Sequence, residues 1–488
     1  MNKTVLLIYP KYTYPRKNPP LGLAFLASYI RREGYNPIII DLNIDDYSDK
    51  DISELVRKYN PLVVGFSFMT NQYGECLRLA KLVKSSIASV SIAVGGPHIS
   101  ALPKEILQES VAVDFSVVGE GEISFLELLN ALGSGEGNFH HINGICYRDN
   151  GSIVQTNPRG LIEDVDSLPF PAWDLIRVEV YSVFSIEVGN TFALLSSRGC
   201  PGQCTFCDSN TIFGRKFRAR SARNIFSEIE FLHKEYGMKS FDFVDDMITL
   251  NKDRIIELCN LIKESGIPYK WMANARVNTL DEEMLSVMQE SGCIRIDVGV
   301  ESGDPEVRRI ARKRTTNEQI INVHKWAKKT GIQVGAFVMV GNMGETMESV
   351  KMTADLLKDI GEDVMISISC PFPGTDLYKT ARENRYLRVK DWSRYTTSPT
   401  YLKDYEPVMV TDKMSQKEIL NAYYYLHSFF VKKKFQARYG KYFLVNPVFM
   451  KEWLFKSAAQ GGLRWKISML TKLLNARLMS YKNKYTPM

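Results

Sequence analysis

No hydrophobic run in this 488-residue chain is long enough to cross a membrane, which takes about 20 consecutive apolar residues. At the N-terminus, MNKTVLLIYPKY places one lysine before an apolar run of about six residues that stops at Tyr9-Pro10, so neither a signal peptide nor an anchor is expected. A strong charge of either sign is also missing. The 62 Lys and Arg against 55 Asp and Glu leave +7, which calls for no nucleic-acid partner. The signature of disorder is absent too: 45% hydrophobic and 24% charged residues describe an ordinary globular chain with length for roughly two or three domains. Without an export signal the expected location is the cytoplasm, where thiols stay reduced. Eight cysteines are then not a disulfide set, and a tight group among them reads as metal ligands.

Such a group is present. Residues 196–209, SSRGCPGQCTFCDS, space Cys200, Cys204 and Cys207 as C-x3-C-x2-C. Zinc sites recruit four ligands in paired spacings, and no second Cys or His pair lies near these three. Iron–sulfur clusters also take four cysteines as a rule, so three in one loop imply a distant fourth or one iron left open. The other five, Cys76, Cys146, Cys259, Cys293 and Cys370, stand singly in helical or strand-like runs, where a free Cys is usually a small core residue. The open iron is favoured.

The surrounding pattern is α/β. Up to about residue 135 the strand-like runs TVLLIY, PIIID, LVVGFSF, SIAVGG and FSVVGEG alternate with helical stretches such as LAFLASYIRREG and CLRLAKLVKSS, as in a doubly wound, Rossmann-like parallel sheet. Residues 136–189 read as a linker containing a hairpin, with prolines in SLPFPAWDL. From 190 to 388 six strand candidates each precede a helix, two units short of a full barrel, which predicts an open (βα)6 TIM-type barrel with its site at the strands' C-terminal ends. Residues 389–488 lose the strand pattern and become a mostly helical, aromatic and basic region, with Tyr423, Tyr424, Tyr425, Phe429 and Phe430 beside Lys432 to Lys434 and, later, Trp453 and Trp465. Such stripes are more often core plus solvated face than a membrane-binding surface.

C-x3-C-x2-C directly after a first barrel strand, with aromatic Phe206 before the third cysteine, resembles the radical SAM superfamily. The resemblance implies that Cys200, Cys204 and Cys207 hold a [4Fe-4S] cluster whose fourth iron is chelated by S-adenosylmethionine (SAM). It also implies reductive cleavage to a 5′-deoxyadenosyl radical, with a low-potential donor such as flavodoxin or ferredoxin supplying the electron. Further residues match at the expected strand ends. Asp245 and Asp246, ending FDFVDD, would accept from the methionyl ammonium, or serve as cap or solvated acids. Glu301 and Ser302 in VGVESG would bind ribose, or form a turn. Arg276 in NARVNT would pair with the SAM carboxylate, or make a structural salt bridge. VMVGNMGET and CPFPGTDLY match the loops that enclose adenine.

The N-terminal region resembles the cobalamin-binding domain joined to such barrels, carrying PPLGLAFLASYIRREGY, SFMTNQ, GGPHIS and VGEGE in order. Ser67, Met69 and Thr70, then Gly95 and Gly96, then Gly119, Glu120 and Gly121 would lie beyond the carboxyl ends of the sheet's strands, where doubly wound folds bind ligands; a non-binding set of tight turns is the alternative. No D-x-H-x-x-G follows the first strand, and the first histidine is His98, so cobalt would lack a histidine below it. The combined resemblance implies a cobalamin-dependent radical SAM enzyme, with methylation of an unactivated carbon as the leading expectation. A cyclase or rearrangement catalyst acting on a tetrapyrrole or lipid-like substrate is the runner-up. A non-catalytic cobalamin and iron–sulfur regulatory module is the alternative from another class. The C-terminal aromatics would suit a small, hydrophobic substrate and a peripheral membrane contact.

Overall fold

The computed structural model describes residues 2–12, 18–181, 191–361, 363–399, 402 and 404–439, the last eleven of these as backbone only. Two sheets dominate, one largely and one wholly parallel. The first orders its strands β2-β1-β3-β4-β5-β6-β7, with β1 Thr4–Tyr9, β2 Asn36–Asp41, β3 Val63–Ser67, β4 Ser91–Gly95, β5 Phe115–Val117, β6 Ile145–Asp149 and β7 Ser152–Gln155. β1 to β5 run parallel, while β6 and β7 pair antiparallel onto the β5 edge. The hairpin read from the sequence as part of a linker therefore extends the sheet, because Ile145, Cys146 and Tyr147 are apolar enough to be buried there. Leu6 and Ile8 face one helix layer and Val5 and Leu7 the other. Burial on both faces explains why these strands read as continuous apolar runs.

Two helices pass unremarked in the sequence pattern. Asp49–Tyr59 is fixed by a capping box between Ser48 and Asp51, and Gly121–Ser134 starts at the glycine-rich turn after β5.

The second sheet is six-stranded and wholly parallel, in the order β15-β14-β13-β12-β11-β8. Its strands are β8 Thr191–Leu194, β11 Ser240–Phe243, β12 Lys270–Ala275, β13 Cys293–Glu301, β14 Gln333–Val340 and β15 Val364–Ile368; a two-stranded ribbon of β9 Ser197–Arg198 and β10 Arg218–Ala219 brackets the cysteine loop. Nearest neighbours in sequence are neighbours in space, as βα units dictate, and among the described residues β8 and β15 do not pair. This is the partial barrel. Phe241, Phe243 and Trp271 pack outward against helix residues such as Ile229 and Ile255, each burial contributing roughly 1.5–3 kcal/mol. Alternation then turns Asp242, Asn274, Arg295, Asp297, Phe337 and Met339 toward the lumen.

Beyond the barrel, Trp392 reaches back to the first sheet's helices. Its ring lies 5.1 Å from that of His98, and its Nε1 donates to Glu105 at 3.3 Å. The C-terminal helix Gln416–Tyr439 begins as core, with Ile419, Tyr423 and Leu426 buried against the barrel. The first part of the aromatic stripe is thus packing surface. Phe429, Phe430, Lys432 to Lys434, Trp453 and Trp465 lie outside the residues whose side chains are described.

Candidate functional site

Parallel strands deliver all their C-terminal loops to one rim. The loop after β8 carries the cysteines and is pinned at several points: Thr205 N donates to Ala311 O at 3.1 Å, Leu377 N to Thr205 O at 2.8 Å, and Arg314 Nη2 to Gln203 Oε1 at 3.0 Å. Phe206 packs with Leu377, Ala381 and Met409, which anchors the residue before Cys207 to the helix after the sixth strand. Gly202 leaves a cradle, since a Cβ there would lie 2.9 Å from Arg276 Nη1 and 3.2 Å from Cys200 Sγ.

Cys200, Cys204 and Cys207 are partly buried free thiols. Burial pushes the Cys200 thiol up and the Cys207 thiol up to about 11. Occupation by iron would therefore release protons. Among the described residues no three Cys, His, Asp or Glu side chains converge as a single ion requires. A cluster with iron at separate corners needs no such convergence, and three thiols in one pinned loop fit it.

The expected SAM contacts divide. Asp246 lies beside the cysteines with part of its surface open; the protein packed around its carboxyl first, then Asp245 and Asp208, push it up to about 6. Arg276 stands 3.5 Å from Cys204 Sγ, bonds Lys313 O and Asn278, and makes no salt bridge to an acid among the described residues. Glu301 adopts φ 63° at a register shift closing β13 and pairs with buried Lys313 at 2.7 Å. A non-glycine residue held there is strained, and such strain clusters at functional sites. Asp245 and Ser302 are otherwise employed. Buried Asp245 accepts from Ser196 N at 3.0 Å and Ser196 Oγ at 2.8 Å, locking the end of β8. Ser302 is fully buried, 3.2 Å from Thr353 Oγ1, and accepts from Asp304 N. Both hold loops in place.

Sequence reasoning missed two features. Buried Glu345, in the loop after β14, accepts from Gly341 N and Asn342 N, and burial pushes its carboxyl up to about 8. The lumen holds Asp242, pushed up to about 7 chiefly by desolvation and then by Asp297 and Asp245, above an Arg295–Asp297 pair at 2.7 Å. Charged residues at alternate positions of otherwise apolar strands, in SFDF and IRIDVGV, were the available signal.

Across the rim lie the carboxyl ends of the first sheet. A cavity of about 290 Å³ is lined by Ser67, Gly95, Gly96, Gly119 and Gly121 from that sheet and by Leu195, Phe213 and Val244 from the barrel. Gly65 and Ala93 keep its floor open. At Gly96, φ is 101° and a Cβ would lie 2.6 Å from Phe68 O, so only glycine fits. The cavity sits near the lower bound of ligand pockets, roughly 300 Å³, which suits the nucleotide tail of a cobalamin and not the whole corrin. Met69 and Thr70 do not line it. Met69 N donates to Gln72 Oε1, and buried Thr70 Oγ1 lies 3.2 Å from His98 Nδ1. Glu120 does reach the cavity wall, but its carboxylate is held by Arg198 and Arg218 at 3.0 and 2.8 Å.

A radical SAM superfamily model matches residues 194–357, and a B12 binding domain model matches residues 12–129. An uncharacterized methyltransferase of Pyrococcus horikoshii is 34% identical over 94% of this chain and 98% of its own length. This chain belongs to the cobalamin-dependent radical SAM methyltransferases. Cytidylyl-2-hydroxyethylphosphonate methyltransferase of Streptomyces wedmorensis is 29% identical over 77% of this chain and 81% of its own. In fold, the chain is similar to the radical SAM methyltransferase TsrM of Kitasatospora setae, solved with cobalamin and a [4Fe-4S] cluster, with a TM-score of 0.70 and 17% identity over 99% of this chain and 100% of that one. The enzyme uses SAM, a [4Fe-4S] cluster and cobalamin. Among the described residues no helix is long and apolar enough to cross a membrane.

His98 follows closely on Gly95 and Gly96, which line the cavity. Its ring is caged by Phe68, Tyr73 and Trp392, and burial lowers its pKa to about 4. Electron paramagnetic resonance of bound cob(II)alamin should accordingly show no nitrogen hyperfine splitting from a lower ligand. Clear splitting that vanishes in His98→Ala would place this ring on cobalt.

Proposed function

We propose that the enzyme methylates an unactivated carbon of a small, largely apolar substrate held between the barrel lumen and the first sheet. The observation that carries this reading is a cavity lined from the carboxyl ends of both sheets and, beside them, by Arg198, Ile212 and Phe213 of the stretch that flanks the cysteines. Bound together, the cluster and SAM supply a hydrogen-abstracting 5′-deoxyadenosyl radical and cobalamin supplies the methyl group. In this reading Cys200, Cys204 and Cys207 hold the cluster, Asp246 accepts from the methionyl ammonium, Arg276 pairs with the SAM carboxylate and Glu301 binds ribose. Ser67, Gly95, Gly96, Gly119 and Gly121 receive the cobalamin tail. Phe337, Met339 and Met365 are partly exposed on lumen-facing strand positions, which supports an apolar substrate body. A low-potential donor such as flavodoxin or ferredoxin in the cytoplasm would reduce the cluster, and a peripheral membrane contact would deliver a lipid-like substrate.

The compound that loses a methyl group when the gene is deleted identifies the substrate. Deuterated at the target carbon, it should pass one deuterium to 5′-deoxyadenosine, and methylated product should form only with cobalamin present. Product formed at an equal rate by cobalamin-free protein would defeat the methylase reading.

A further inference from the structure

Glu120 occupies the N-cap position of the helix Gly121–Ser134, yet its side chain makes no capping bond to that helix. An acidic residue there ordinarily caps its own backbone N–H groups. Here the carboxylate crosses to the barrel, where Arg198 Nη1 donates at 3.0 Å and Arg218 Nη1 at 2.8 Å, while Ile162 N donates from the connecting segment at 2.8 Å. Glu122 takes the other nitrogen of Arg198 at 2.6 Å. All four charged side chains are at most 8% exposed.

The two arginines stand at the two ends of one loop. Arg198 lies two residues before Cys200, and Arg218 pairs with it across the β9–β10 ribbon that closes the stretch carrying all three cysteines. Arg218 Nη2 also donates to Phe213 O inside that stretch, and the guanidinium of Arg198 lies between the rings of Phe25 and Phe213, 5.4 and 5.3 Å from their centroids. Gly199 has φ 83°, and a Cβ there would lie 2.2 Å from Lys216 O, so the loop base has little freedom to shift. On the other side, Gly119 and Gly121, flanking Glu120, line the interdomain cavity with Arg198 itself.

We infer that Glu120 is a positioning residue that couples the two cofactor sites. The glycine turn that receives the cobalamin tail and the base of the cluster loop are joined through one buried carboxylate, so occupation of either site favours the geometry of the other. This rests on the placement of cobalamin and cluster proposed above. Coupling of this kind is reciprocal: the factor by which the cluster tightens cobalamin binding equals the factor by which cobalamin tightens the cluster.

The test uses the full chain, as wild type and as Glu120→Gln, which preserves shape and the bond from Ile162 but removes the charge. Hydroxocobalamin affinity is measured with and without a reconstituted cluster, and the rate of iron loss to bathophenanthroline with and without hydroxocobalamin. In wild type, the cluster should tighten hydroxocobalamin roughly fivefold or more, and cobalamin should slow iron loss. Glu120→Gln should still bind both cofactors with the two effects gone. Lys216→Ala, which breaks an exposed pair with Glu163 in the same stretch, should keep the coupling. Equal affinities in wild type overturn the inference without recourse to any variant, as does undiminished coupling in Glu120→Gln. Failure of wild type to bind hydroxocobalamin at all overturns the proposed site and the inference with it.

Discussion

Alanine at Cys200, Cys204 or Cys207 is expected to abolish the iron–sulfur absorption at roughly 400 nm or leave a defective cluster, because each thiolate holds one iron. Generation of 5′-deoxyadenosine should fall to background in each variant. The loop is held by backbone bonds at Thr205 and by Phe206 in its own apolar cluster, so loss of one thiol should not unfold it. Cys76, Cys259 and Cys293 are completely or almost completely buried in the helix-facing cores and should be dispensable for the cluster. Anaerobic reconstitution followed by iron and sulfide analysis decides the matter. A protein lacking all three loop cysteines that still carries four irons and four sulfides would sink the assignment.

Gly95→Leu is expected to eliminate most cobalamin binding while leaving the fold and the cluster intact. Gly95 ends β4, has no positive φ, and lines the interdomain cavity; the nearest atom to an added Cβ is Val117 O at 3.6 Å, an ordinary contact. A leucine can therefore be built without clash, and its branches would fill space that the cobalamin tail needs. Overpacking of such a site costs about 1–3 kcal/mol, which corresponds to roughly 5- to 150-fold in affinity. Hydroxocobalamin titration gives the affinity, and thermal unfolding of the cofactor-free protein checks the fold. Unchanged affinity in a folded Gly95→Leu would move the tail out of this cavity. Gly96 would be a poorer choice, because its backbone conformation already forbids a side chain.

Much of this architecture is written in local periodicity and spacing. Six strands alternating with helices between residues 191 and 368 follow from apolar runs separated by capped amphipathic stretches, and C-x3-C-x2-C stays in one loop however the chain folds. In the barrel, strand order followed as well, since each βα unit there places its strand beside the previous one. Side-chain direction did not. Asp245 and Asp246 are adjacent and chemically identical, yet one turns inward to lock Ser196 and the other faces the cysteines, because successive residues leaving a strand point to opposite sides. Ser302 and Glu301 are both buried yet take different partners, Ser302 beside Thr353 and Glu301 on Lys313. Glu120 reads in the sequence as one more member of a glycine turn. Only the docking of the first sheet against the barrel brings it to Arg198 and Arg218, 78 and 98 residues away. Contacts at that separation leave no local pattern, since each partner's own neighbours in sequence are satisfied without the other. Packing alone placed the hairpin after residue 144 on the first sheet, because an exposed β5 edge was available to pair with it, and formed the interdomain cavity, because its two walls come from sheets that the sequence describes separately.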